Sequence, residues 1–305
     1  MIPLYIGGSA KSRMKIDKLM DVVTLETKKL RLQIPRTFGP RILSLQLIGG
    51  ANLLAELPDF AFERPDGKIY RFYGGHRLWS APEDPIRSYA LDDLAMDISQ
   101  EGDGLLIRKP VEPETGLEKS MLITLSNVDA KLTITHRLTN LGSDPVECAP
   151  WAITQFRTGG MAILPQGCSR TNLLPNRALA FWPYTDITSP HVTIGNRFIL
   201  VRAEPQPPFK IGFPNPRGWL AYWLEGTLFV KQTAYHSGEP YNDFGSSSEC
   251  YCNHQFLELE TLAPLHKLKL GASALHTETW ELFPRVLFPT DESAVQSLIG
   301  SLGLE

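Results

Sequence analysis

"KKLRLQIPRTFGPRILSLQLIG", residues 28–49, is the stretch that decides the fold. Residues 28–35 alternate polar and apolar, residues 41–49 do so again, and "RTFGP" (36–40) between them has turn chemistry. A period of two sends successive side chains to opposite faces of a strand, so a pair of half-buried β-strands is expected. The same alternation recurs outward along the chain. It appears in "GLLIRKPVE" (104–112), "EKSMLITLS" (118–126), "AKLTITHRLTN" (130–140), "RFILVRAE" (197–204), "GWLAYWLEGTLFVKQTAY" (218–235), "HQFLELETL" (254–262) and "ALHTETWELF" (274–283). Turns separate these runs: "EGDG" (101–104), "NLGSDP" (140–145) and "FPNPRG" (213–218). Helical periodicity is weak except in the tail "DESAVQSLIGSLG" (291–303), where Asp291 or Ser293 suits an N-cap.

So many short strands, with no fixed-period repeat, argue against a propeller or solenoid. The expected class is all-β: two large, mainly antiparallel sheets packed face to face, with few short helices. Residues 1–20 read as an N-terminal arm or edge strand, and 21–305 as one sandwich domain. The composition is that of an ordinary globular protein, 43% hydrophobic and 21% charged. A net charge of −3 without like-charge blocks gives no electrostatic reason for nucleic acid or an anionic membrane as partner. No apolar run approaches the ~20 residues of a membrane span. The first residues lack a signal-like apolar core, so a cytoplasmic location is the default expectation. Four cysteines make no disulfide framework, and the Cys250-x-Cys252 pair has no second metal-binding pair beside it. No structural metal is expected.

Three clusters carry chemistry. In "RFYGGHRLWSAPEDP" (71–85), Gly74-Gly75 is followed by His76, Arg77 and Trp79. A loop holding an imidazole, a guanidinium and an indole could orient a polyhydroxylated ligand, the indole packing on C–H groups and the polar tips bonding hydroxyls. An equally simple reading puts Trp79 in the core, with His76 and Arg77 bonded to loop carbonyls. In "PVECAPWAITQFRTGG" (145–160), alternation places Trp151, Ile153 and Gln155 on one face, where a buried Gln155 needs a hydrogen-bond partner. In "KQTAYHSGEPYNDFGSSSECYCN" (231–253), His236, Asp243 and Glu249 fall in what reads as a long polar loop. Finally, Glu258 and Glu260 in "NHQFLELETLAPL" (253–265) share a strand face about 6–7 Å apart. They are either solvated or the acid/base pair of a site. Mutual repulsion and burial would raise one of the two pKa values.

The order "LQIPRTFGPRILSLQLIGGANLLAE", "YGGHRLWSAPEDP", "LTNLGSDPVECAPWAIT", "FLELETLAPLHKLKLGASALHTETWEL" resembles the galactose mutarotase-like superfamily, in particular a bacterial branch of aldose 1-epimerase relatives. The likeness spans about residues 21–285. It implies a β-supersandwich, a mono- or short oligosaccharide ligand, a monomeric or dimeric state and no cofactor, since anomerisation is proton transfer alone. It also implies Glu258 as the base, with Glu260 where the family often carries Gln, and His76 as a sugar-binding histidine. Arg77, Trp79, Gln155, Asp243 and His236 are the further candidates for substrate contacts. The family's acid histidine has no counterpart here, because the strand after "NLGSDP" offers Thr154 and Gln155 instead; either His236, His254 or Glu260 serves as acid, or the protein binds sugar without epimerising it. The expected function is therefore aldose 1-epimerase-like. A carbohydrate-binding protein without catalysis, or a domain of the lyase or hydrolase kind, are the alternatives.

Overall fold

A computed structural model describes residues 21–167, 173–204 and 207–304. The expected N-terminal arm lies outside these residues.

Two large antiparallel sheets dominate. The central strands of the ten-stranded sheet run in the order Trp219–Leu224, Thr227–Thr233, Ser273–Pro284, Lys131–Asn140, Leu117–Leu125. The eight-stranded sheet runs Ala180–Phe181, Phe209–Phe213, Ser248–Cys252, Phe256–Leu262, Val146–Arg157, His76–Ala81, Arg41–Ile42, with His266–Leu268 paired to the start of Val146–Arg157. The opening stretch forms Leu30–Pro35 and Ser44–Leu47, which pair with each other and with Val22–Glu26 in a three-stranded sheet. Leu30, Leu32, Ile34 and Leu45 are fully buried, as the alternation demands.

Alternation also sorts the faces of the eight-stranded sheet. Leu78, Phe156, Leu257, Leu259, Cys250 and Ile211 join the core between the two large sheets. The opposite face carries Trp79, Trp151, Ile153, Tyr251, Phe256 and Leu262. The hairpin Glu56–Glu63/Ile69–Gly74 packs on that second face through Leu57, Tyr70 and Phe72. Both faces of this sheet are thus covered, so the polar residues its strands carry, among them Arg77, Gln155, Glu249, Glu258 and Glu260, are buried as well.

The tail helix spans Glu292–Ser301, and Asp291 caps it, accepting from the Ala294 amide at 2.9 Å. Two expectations about loops fail. His76–Ala81 is a strand paired on both sides, and Gly74-Gly75 supplies the tight entry to it from the hairpin. The supposed long loop after residue 231 ends sooner, because Ser248–Cys252 is also a strand, buried throughout. In both places glycine- and serine-rich flanks made a fully buried strand look like a loop.

Candidate active site on the covered face of the eight-stranded sheet

Five neighbouring strands bring charged and polar groups onto the face that carries Trp79 and Trp151. In register, Gln155 lies opposite Glu258, and Ile153 lies between Glu260 on one side and Arg77 on the other. On the far side of Glu260 stands Glu249, and on the far side of Glu258 stands Tyr251, itself opposite Lys210. Arg77, Gln155, Glu258, Glu260, Glu249 and Lys210 are all buried. Such groups persist in an interior only when paired or hydrogen-bonded.

The pairing has two centres. Arg77 Nη2 donates to Glu258 Oε1 at 3.0 Å, and its guanidinium lies 4.3 Å from the Trp79 ring. Lys210 Nζ sits 2.7 Å from Glu249 Oε2 and 3.1 Å from Glu260 Oε2, between the rings of Trp151 (4.7 Å) and Trp182 (4.6 Å). Trp151 Nε1 also donates to Glu260 Oε2 at 2.8 Å. Burial pushes the Glu258 carboxyl up to about 7; Arg77 works against the shift and Glu260 with it. Burial pushes Glu249 well above the carboxylate range, with Glu260 and Asp243 adding to it and Lys210 opposing. Lys210 is held well above the ordinary lysine value because Glu249 and Glu260 outweigh the cost of its burial.

Several polar atoms on this face have no partner among the described residues: Arg77 Nε and Nη1, both amide atoms of Gln155, Glu260 Oε1 and Glu249 Oε1. Unsatisfied buried groups gathered in one place are what a polar ligand or ordered water would complete. The segment "FWPYTD" (181–186) closes over them. Trp182 lies on Lys210, and Tyr184, itself partly exposed, packs 6.4 Å from Tyr251; desolvation pushes its hydroxyl up, with Lys210 opposing and Glu260 adding. A separate surface cavity of about 480 Å³, lined by Pro82, Arg87, Glu147, Asn242 and Leu265 among others, lies at the ends of the same strands. It contains none of the paired charges.

Of the residues expected from sequence, Glu258, Glu260, Arg77, Trp79 and Gln155 come together on this face. His76 does not. Being adjacent to Arg77 in a strand, it points the other way, into the core between the sheets, fully buried. There Nδ1 meets Thr154 Oγ1 at 2.9 Å and Nε2 meets His136 Nε2 at 2.7 Å. Asp243 is half-buried in the turn Asn242–Gly245 at φ 51°, and its charge acts on Glu249. His236 is exposed, and its backbone amide donates to the Tyr241 hydroxyl at 3.0 Å. Sequence reasoning missed Lys210 and took Glu249 for a loop residue. The available signal was a lone lysine in "FKIGF" and a lone glutamate in "SECYC", charges that a buried strand tolerates only as a pair.

Beneath the face lies a second polar network. Lys231 Nζ contacts Glu278 Oε1 (2.8 Å), Thr154 Oγ1 (3.1 Å) and the Leu259 carbonyl (3.1 Å). Glu278 also receives Trp280 Nε1 at 2.8 Å and the Thr261 hydroxyl, while His276 Nε2 bonds Thr261 Oγ1 at 2.7 Å. His136 Nδ1 faces the His276 carbonyl at 2.9 Å and so carries the proton. Its Nε2 then accepts from His76 Nε2, and Thr154 donates to His76 Nδ1. Burial lowers all three imidazoles, so they stay neutral. His76, His136 and Glu278 bring ligand atoms within 4.8 Å of one another. A metal ion there would have to displace the proton between two imidazoles and compete with the Lys231 ammonium, so these donors are already committed.

No protein-family model matches the sequence, and no curated protein matches it. Solved structures do resemble the fold. A protein from Escherichia coli K12 provisionally described as an aldose 1-epimerase superposes with TM-score 0.52 at 14% identity, over 86% of this chain and 99% of its own. A galactose mutarotase-like protein from Lactobacillus casei gives 0.53 at 13%, over 86% and 100%. A TPR-domain containing protein from Parabacteroides distasonis gives 0.59 at 13%, over 89% of this chain but 48% of its own. No helix of the described residues is long and apolar enough to cross a membrane. Strand order, paired sheets and these superpositions agree: the chain has the galactose mutarotase-like fold.

Proposed function

We propose that this chain binds the ring of a sugar on the covered face of the eight-stranded sheet and interconverts its anomers. One observation carries the reading. A carboxyl group poised near neutral pH, Glu258, is surrounded by unpartnered buried donors and acceptors on Arg77, Gln155 and Glu260. Anomerisation needs a base of that kind at the anomeric hydroxyl, and a ring with several hydroxyls would satisfy the idle groups. Trp79 and Trp151 border the carboxyls, with Arg77 and Lys210 lying on their rings. Entry requires the segment 181–186 to lift.

The test is the optical-rotation decay of freshly dissolved α-glucose and α-galactose. Wild-type protein should accelerate it, and Glu258→Gln should abolish the acceleration. No acceleration of either sugar counts against the reading. A second reading, sugar binding without catalysis, is favoured by one feature: opposite Glu258 stands Gln155, where the family resemblance leads one to expect an acid histidine, and the nearby His76 turns inward. It predicts saturable binding with an unchanged decay.

A further inference from the structure

The reading above leaves the proton donor unassigned, and the charges on the covered face identify one. Two cations, Arg77 and Lys210, face three carboxyl groups, Glu249, Glu258 and Glu260. Fully ionised, this buried set would carry one uncompensated negative charge, a cost that a bound proton removes. Glu260 is the carboxyl least able to hold it, because Oε2 accepts from both Trp151 and Lys210. Glu258 accepts from Arg77 and keeps some exposure at 7%, whereas Glu249 is 0% exposed and has Lys210 at one oxygen only. The groups facing Glu249 are Lys210 from Phe209–Phe213, Glu260 from Phe256–Leu262 and Asp243 from the turn before its own strand. Two negative neighbours against one shared cation place the surplus proton on Glu249.

We propose that Glu249 is the general acid of the site, donating to the sugar ring oxygen while Glu258 takes the proton of the anomeric hydroxyl. Glu249 pairs with Glu260 across the strands, one pleat step from Glu258. A diagonal of that kind separates backbones by about 7–8 Å, which admits the hemiacetal carbon and its two oxygens between the carboxyls. The step balances internally. Glu258 removes the hydroxyl proton, C1=O1 forms, the C1–O5 electron pair moves to O5, and O5 takes the Glu249 proton. After rotation about C1–C2, O5 adds to the other face of the carbonyl and both protons return. The inference rests on the anomerisation reading.

The test uses the full chain with α-glucose and α-galactose, followed by polarimetry across pH, with Glu249→Gln and Glu249→Asp beside wild type. The carboxamide matches the size of the protonated acid, so Glu249→Gln should fold and still bind sugar. Its kcat/KM should fall about 10²–10⁴-fold and the alkaline limb of the pH profile should vanish. Glu249→Asp, which keeps the acid one methylene short, should regain part of the rate and restore that limb. An active wild type with an undiminished Glu249→Gln, or with the alkaline limb intact, overturns the donor role alone. A wild type inactive on both sugars overturns the anomerisation reading and the donor role with it. If Glu249→Gln does not fold, the aspartate variant decides: a full rate with an unshifted profile refutes the assignment.

Discussion

Glu258 shows how far single residues could be read from the chain. Its sharing of a face with Glu260 follows from a spacing of two, whereas its bond to Arg77 comes from a strand far away in sequence. That one carboxyl of the pair would be raised was expected from repulsion and burial; that it is Glu258 depends on how strands distant in sequence bury it. A carboxyl raised in the folded state favours folding where it is protonated, and that advantage is lost as pH rises from the unfolded value through the folded one. Stability should therefore fall between about pH 5 and pH 8, by up to roughly 3 kcal/mol for a group moved to about 7. Urea midpoints across that range measure it. Glu258→Gln should flatten the slope, and a slope unchanged in that variant would place the titration elsewhere. His76 shows the opposite case: Gly-Gly before it suggested a loop, and only strand pairing on both sides sends its ring inward while Arg77 faces out.

At the scale of elements, the Gly74-Gly75 entry sets the position of everything downstream on His76–Ala81. Gly74 and Gly75 have φ of 88° and 76°, and a Cβ on either would stand 2.0 Å from the Ala55 carbonyl oxygen or 2.1 Å from that of Ile42. No side chain fits without moving backbone. Gly75→Ala should cost on the order of 2–4 kcal/mol, read as a loss of thermal midpoint, because strain adds to the clash. An unchanged midpoint would show that the strand can shift. The alternating strands and the capped tail helix were legible because their signals are local: period two, turn residues and an Asp before an amphipathic run. His76–Ala81 and Ser248–Cys252 were not, because Gly74-Gly75 and Gly245-Ser246-Ser247 precede polar residues that look solvated although the structure buries them.

For the whole molecule, the inner network of Lys231 and Glu278 bridges the two large sheets. Glu278 and Lys231 come from neighbouring strands of the ten-stranded sheet, and Lys231 reaches across to Thr154 and the Leu259 carbonyl of the other. Lys231→Met leaves a buried carboxylate unpaired and should cost about 3–5 kcal/mol in a denaturation series. The double variant Lys231→Met/Glu278→Gln should recover part of that loss; full additivity would argue against a direct coupling. Exhaustive dialysis against a chelator should leave the thermal midpoint unchanged, since His76, His136 and Glu278 are satisfied by one another and by Lys231. A drop on chelation would reveal a bound metal. What the amino-acid order determined by itself was the all-β class, the paired strands and the shared face of Glu258 and Glu260, because these follow from nearest-neighbour geometry along one strand. Only the tertiary structure decided what covers each face of that sheet, that Lys210 and Glu249 join the face of Glu258, and that His76 leaves it. Those facts depend on strands far apart in sequence lying side by side, and on the desolvation that follows.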